Sequence, residues 1–195
     1  MLIEVYCDKF KTGGKDGIVR PAISFHEGLN AVIGDNNRSN SIGKSTLLMI
    51  IDFVFGGDDY IHKCAAVHEN VGEHTIFFTL EFKGNTYSFG RNNIKHQELT
   101  KCDRQYNPIE GADPIKLDDY KEWLSKMYEV DIEGLTWRGV MSKFIRVYNR
   151  DTMDASRPLQ TAKDGKVVDD IKRCLKQFGK YSIVEKQITQ ANRTY

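Results

Sequence analysis

Gly43, Lys44, Ser45 and Thr46 stand in a row just ahead of an apolar run, Leu47 to Phe55. A glycine, a lysine and two hydroxyl residues opening a helix suit the holding of nucleotide phosphates. Gly43 lets the backbone approach the phosphates with no Cβ in the way. Backbone N–H groups from Ser41 to Ser45 can converge on a β-phosphate, with the positive end of the helix behind them. Lys44 would reach the β- and γ-phosphates, the Ser45 hydroxyl would coordinate magnesium, and Thr46 suits the α-phosphate.

The spacing departs from the common form. A G-x4-G-K-[ST] loop needs its first glycine at position 38, where Arg38 stands, and the preceding glycine is Gly34. We read Asn40, Ser41, Ile42, Gly43, Lys44 and Ser45 as an N-G-x-G-K-S core with Ser41 in place of one glycine. Extra residues within Asp35 to Ser39 then bulge from the loop. The expected nucleotide-binding set is Gly34, Asn40, Ser41, Ile42, Gly43, Lys44, Ser45 and Thr46, with Ser45 as the magnesium ligand.

The elements that must position this loop can be read from the pattern. Leu2 to Cys7 alternates as a strand does, and Ile18 to Phe25 does so more weakly around Pro21, with Lys11 to Gly17 as the loop between them. Leu29 to Ile33 reads as a short strand feeding the loop. Lys44 to Phe55 reads as a buried helix ended by Gly56 and Gly57. Asp58 to Gly72 reads as irregular. A hairpin follows, with Ile76, Phe78, Leu80 and Phe82 on one face, a turn at Gly84-Asn85, and Tyr87 and Phe89 on the return strand. Ile94 to Cys102 would add a third strand. Helices are expected around Leu117 to Met127, around Leu135 to Ile145, around Val167 to Phe178 and from Tyr181 to Tyr195, with Arg150 to Gly165 as a polar loop. The final helix lacks a closing cap and stops in mid-pattern, as a truncated chain would.

Composition narrows the classes. The chain has 195 residues, 40% hydrophobic and 28% charged, with a formal net charge of +1. It can bury a core, and its near-neutral charge argues neither for nor against nucleic acid, any contact with which would need a local basic face. No apolar run approaches a bilayer span and no secretory signal opens the chain, so a cytoplasmic protein away from membranes is expected. Cys7, Cys64, Cys102 and Cys174 lack metal or disulfide spacing and read as reduced thiols. His26, His62, His68, His74 and His96 include no HxH or HxxxH pair, so a metal centre is not expected.

Magnesium chemistry also needs a carboxylate at the end of an apolar strand. Met49-Ile-Ile-Asp52 has the letters but falls within the helix behind the loop. Ile76 to Glu81 is a strand, but its polar interruptions mark a half-exposed hairpin. No residue is therefore assigned a catalytic role. Trp137 to Arg150 mixes aromatics with four basic residues. It reads as an amphipathic helix with a solvated basic side, or as a DNA or interlobe contact.

Asp8-Lys9-Phe10-Lys11, Phe25-His-Glu-Gly-Leu-Asn30 and Ile50-Ile-Asp-Phe-Val-Phe-Gly-Gly57 resemble the SMC-like ABC-class ATPases. In particular they resemble those of bacterial ABC three-component and Lamassu-type defence systems. The resemblance extends to about Arg150 and is most specific over Ile33 to Tyr60. It implies an α/β P-loop NTPase fold: ABC-ATPase head lobe I with antiparallel β hairpins and flanking helices. Residues 1–165 would form that lobe, and 166–195 a helical segment that could start a coiled-coil arm. The partners implied are ATP with Mg2+, the C-terminal half of the same head, a second head in a homodimer, and DNA or effector subunits in repair or antiphage defence. Hydrolysis would await a Walker B strand and signature motif from that other half. The family's Q-loop falls near Phe144 to Arg150, where Arg146 or Asn149 would stand in for the glutamine. Lys9 or Lys11 would match a basic residue near the nucleotide. Two rivals stand beside this reading: a non-hydrolysing nucleotide-gated module, and a small P-loop kinase or GTPase.

Overall fold

The computed structural model describes residues 1–12, 16–32, 43–145 and 167–193. The chain is mixed α/β and forms two compact units, Met1–Lys121 and Glu122–Tyr195. The expected division at 165/166 lies outside the described residues.

The first unit is built on a sheet whose described pairings are all antiparallel. Its strands are β1 (Leu2–Tyr6), β4 (Ile23–Ser24), β5 (Thr75–Phe82), β6 (Asn85–Asn92), β7 (Glu98–Cys102) and β8 (Ile115–Lys116). Their order is β4-β1-β5-β6-β7-β8, and β2 (Lys11–Thr12) with β3 (Ile18–Val19) makes a separate two-stranded ladder. Pro21 divides β3 from β4, because its ring removes a ladder donor.

Alternation fixes the two faces. Ile76, Phe78 and Leu80 are fully buried, and Phe78 pairs across the ladders with Phe89 and Val5. Each such side chain contributes about 1.5–3 kcal/mol by leaving water. Helix α1 (Lys44–Val54) closes this face through Phe53 and Val54, both fully buried. On the other face Tyr6, Phe77 and Tyr106 stack with centroids 5.3–6.3 Å apart. Gly90 is required beneath them, since a Cβ there would sit 2.9 Å from the Phe77 ring. The Tyr106 hydroxyl donates to Glu4 Oε1 at 2.8 Å and lies 3.0 Å from Thr79 Oγ1. Thr79 is thus 8% exposed, and the hairpin is covered on both faces more fully than its polar letters suggest.

The turn between β5 and β6 is Lys83-Gly84, one residue earlier than expected. Phe82 pairs with Asn85, and both turn residues have positive φ, 51° and 80°. A two-residue turn of this kind matches the right-handed twist of the strands.

Two further expectations need correction. Asp58 to Gly72 is not irregular but holds α2 (Asp59–Lys63) and α3 (Ala65–Val71). Five- and seven-residue helices are too short for a periodic signal to emerge. Leu29 to Val32 forms no strand, and Leu29 and Val32 are 87% and 49% exposed. A strand needs a neighbour to take its backbone groups, and no strand is paired with this stretch in the described sheets.

Helix α4 (Leu117–Met127) crosses the division between the units. The second unit holds α5 (Trp137–Phe144), α6 (Val167–Gln177) and α7 (Tyr181–Arg193). Thr136 caps α5 by accepting from the Gly139 N–H at 3.1 Å. Trp137 and Val140 are buried and Phe144 is 61% exposed, so α5 is amphipathic as its pattern predicts. No helix among the described residues is long and apolar enough to cross a membrane.

Candidate functional site

Helix α1 begins at Lys44 with Gly43 at its N-cap. Gly43 has φ 113°, and a Cβ on it would meet nothing within 4 Å. The glycine is therefore needed for its backbone angle and not for space. It has no side chain with which to occupy the first-turn amides, and the first turn carries no acidic residue. Those amides and the positive end of the helix dipole suit an anion. Lys44 and Thr46 are half-buried and Ser45 is exposed. Gly34, Asn40, Ser41 and Ile42, the rest of the expected loop, lie outside the described residues, as do Arg146 and Asn149. Lys9 is exposed on the turn after β1, and Lys11 is exposed in β2.

The opposite end of α1 is immobilised by groups that the sequence did not announce. Arg91 of β6 is completely buried. Its Nη1 donates to Phe53 O at 2.7 Å and Gly57 O at 2.9 Å, its Nε to His96 O at 2.7 Å, and its Nη2 to Asp58 Oδ1 at 2.9 Å. The guanidinium also lies 3.9 Å from the Phe53 ring centroid. A cation there neutralises the negative end of the helix dipole while satisfying last-turn carbonyls. The Tyr120 hydroxyl donates to Val54 O at 3.1 Å. Asp52, fully buried, sits within α1 and not at a strand end, as its letters in sequence context predict.

Beside this anchor is a second polar constellation. His74 Nδ1 lies 2.7 Å from Gly72 O, and His74 Nε2 lies 2.6 Å from the Tyr60 hydroxyl. A carbonyl can only accept, so Nδ1 carries the proton and Tyr60 donates to Nε2. His68 Nε2 faces Tyr60 O at 2.9 Å, which leaves its Nδ1 to accept from Asn93 Nδ2 at 3.2 Å. Asn93 Oδ1 takes the His74 N–H at 2.8 Å. Burial holds the His74 pKa below the ordinary histidine value and pushes the Tyr60 hydroxyl up. The two rings stack 5.7 Å apart, but their nitrogens are engaged by protein groups. Among the described residues no group of three metal-ligating side chains occurs.

The four cysteines are free thiols. Burial raises the Cys7 and Cys102 pKa values to about 11 and moves Cys64 the same way. Such thiols stay protonated and unreactive near neutral pH.

Sequence reasoning thus located the start of α1 but missed Arg91 and the Tyr60–His68–His74–Asn93 network. Arg91 follows Ser88-Phe-Gly90 in an alternating strand, and its inward position was the only available signal. Comparison of the chain with protein families, curated proteins and solved structures gave no match.

Proposed function

We propose that this chain is the nucleotide-binding N-terminal half of an SMC-like ABC-type ATPase head, taking ATP with Mg2+ at the start of α1. The observation that carries the reading is Gly43-Lys44-Ser45-Thr46 opening a helix whose far end is fixed in the core. Lys44 is placed in sequence to reach the β- and γ-phosphates, and Ser45 offers an exposed hydroxyl for magnesium. The exposed Leu29 and Val32 support completion by strands from another segment, which the resemblance identifies as the C-terminal half of the head. That half would also bring the carboxylates needed for hydrolysis. A second head closing over the γ-phosphate would couple ATP to homodimerisation, and thence to DNA or an effector, in a cytoplasmic repair or defence system. The rival kinase or GTPase reading would need its own strand-end carboxylate for magnesium and a phosphate-acceptor pocket, and the sequence offers neither. A non-hydrolysing module would share the same nucleotide site.

Titration calorimetry with ATP and Mg2+ tests the site. Lys44→Ala should weaken binding by about ten- to a hundredfold, the value of a charge-assisted contact. Removing Mg2+ with a chelator should weaken it as well. Equal affinity for wild type and Lys44→Ala would remove the phosphate-binding role.

A further inference from the structure

We propose that the sheet face away from α1, at Glu4, Tyr6, Phe77 and Tyr106, binds an arginine side chain presented by a partner protein. The site lies within the first unit and is independent of the nucleotide reading.

Three aromatic rings meet there. Their centroids form a triangle with sides of 5.3, 6.0 and 6.3 Å, and their planes are inclined by 33°, 12° and 27°. A single column of rings would hold its outer two much farther apart than neighbours, so these rings lie side by side with their planes nearly aligned. Tyr6 and Phe77 are register partners on β1 and β5, and Tyr106 reaches them from beyond β7. The bare backbone of Gly90 lets the Phe77 ring lean over β6. Each of the three residues is half-buried, so the group keeps accessible aromatic surface. Aromatic faces attract a cation through the ring quadrupole.

Glu4 supplies a fixed anion beside them. Its Oε1 accepts from the Tyr106 hydroxyl at 2.8 Å, and among the described residues no other side chain bonds this carboxylate. By strand alternation the charged residues of β1, β5 and β6 on this side are Glu4 and Glu81, both acidic. Lys101 of β7 falls on the opposite side with its partner Phe89, and Arg91 is buried there. Exposed Asp8 and Lys9, on the turn after β1, offset each other. The local charge therefore opposes a phosphate backbone and suits a cation. An arginine matches both features. Its planar guanidinium stacks on aromatic faces while its N–H fork donates to a carboxylate. A lysine has neither the plane nor the fork.

The probe is Nα-acetyl-arginine amide, whose single cation avoids the general pull of a polybasic peptide. Amide NMR titration of the whole chain compares it with the citrulline analogue, which keeps the planar group and loses the charge. We expect the arginine probe to shift the amides of Glu4, Tyr6, Phe77 and Tyr106 and to bind about three- to tenfold more tightly than citrulline. Glu4→Gln, which still accepts from Tyr106, should bring its affinity down to the citrulline level. Phe77→Leu keeps apolar bulk without a π face and should weaken binding about threefold. Glu81→Gln removes an equal charge from the same side and should bind as wild type does. Equal affinity for arginine and citrulline, or shifts scattered over other acidic surfaces, would overturn the proposal. Unchanged affinity in Glu4→Gln, or equal weakening in Glu81→Gln, would overturn it too, and these two variants decide the matter if Phe77→Leu does not fold. Tighter binding of a short thymidine oligonucleotide to the same amides would also overturn it, assigning the face to single-stranded nucleic acid.

Discussion

The β5–β6 hairpin and the stretch from residue 18 to residue 32 carry similar apolar residues and reach opposite outcomes. In the hairpin every position from Thr75↔Asn92 to Phe82↔Asn85 is paired, and Ile76, Phe78 and Leu80 are fully buried. In the other stretch Ile18, Ile23, Leu29 and Val32 are 82%, 44%, 87% and 49% exposed. Residue type alone does not explain the difference, since isoleucine, leucine and phenylalanine occur in both. The hairpin brings its own neighbour across a two-residue turn, whereas the earlier stretch has only two-residue ladders and a proline between them. An apolar alternation becomes a strand where a partner accepts its backbone hydrogen bonds.

The largest effect that would test this contrast is in the hairpin. Phe78→Ala should cost about 3–5 kcal/mol, because the site is closed on every side and cannot collapse fully. Urea denaturation would measure it, and a loss under about 1 kcal/mol would mean that the hairpin is not the core.

A smaller effect concerns the open end of the hairpin, where Asn93 N–H bonds His74 O at 3.0 Å and the neutral His74 ring is buried. The folded His74 pKa lies below the unfolded value of about 6.5. As pH falls through about 6.5 the unfolded chain takes up the proton first, so stability should decline from pH 7.5 toward 5.5. His74→Gln should flatten that decline while lowering stability at neutral pH. Asp103 is held below the usual carboxylate range mainly by Asn107, so its own loss of stability comes on below about pH 4, outside this window. An unchanged pH slope in His74→Gln would assign the dependence to other groups.

The smallest effect is expected in the open stretch. Leu29→Ser with Val32→Ser should alter the stability of this chain by no more than about 0.5 kcal/mol, since both side chains are already in water. The same pair should impair association with the proposed C-terminal half of the head. A large loss of stability in the isolated chain would show that these residues are covered after all.

What the sequence disclosed follows the same division between local and distant causes. The start of α1, the inward face of β5 and the ends of α4 and α6 follow from spacing within a few residues. The strand expected over Leu29 to Ile33 does not form over Leu29 to Val32, where no described strand takes the backbone groups. Arg91 was nearly invisible because three of its four acceptors, Phe53 O, Gly57 O and Asp58, lie more than thirty positions away. Tyr106 was equally hidden. Its φ of 64° is stabilised by Asp103, whose carboxylate accepts from the Gln105 and Asn107 amides, and its hydroxyl reaches Glu4 at the other end of the unit. The nucleotide site itself was legible only in part, since the residues ahead of Gly43 lie outside those described.

The Lys83-Gly84 turn has a consequence for how the first unit assembles. The ladder between β5 and β6 closes a loop of two residues, whereas β1 must wait for residues such as Leu80 before Leu2 can pair. The entropy of loop closure makes the first ladder cheap and the second dear. During synthesis β1 is therefore made well before its partner β5, and the edge that faces β5 stays unsatisfied until the hairpin has left the ribosome.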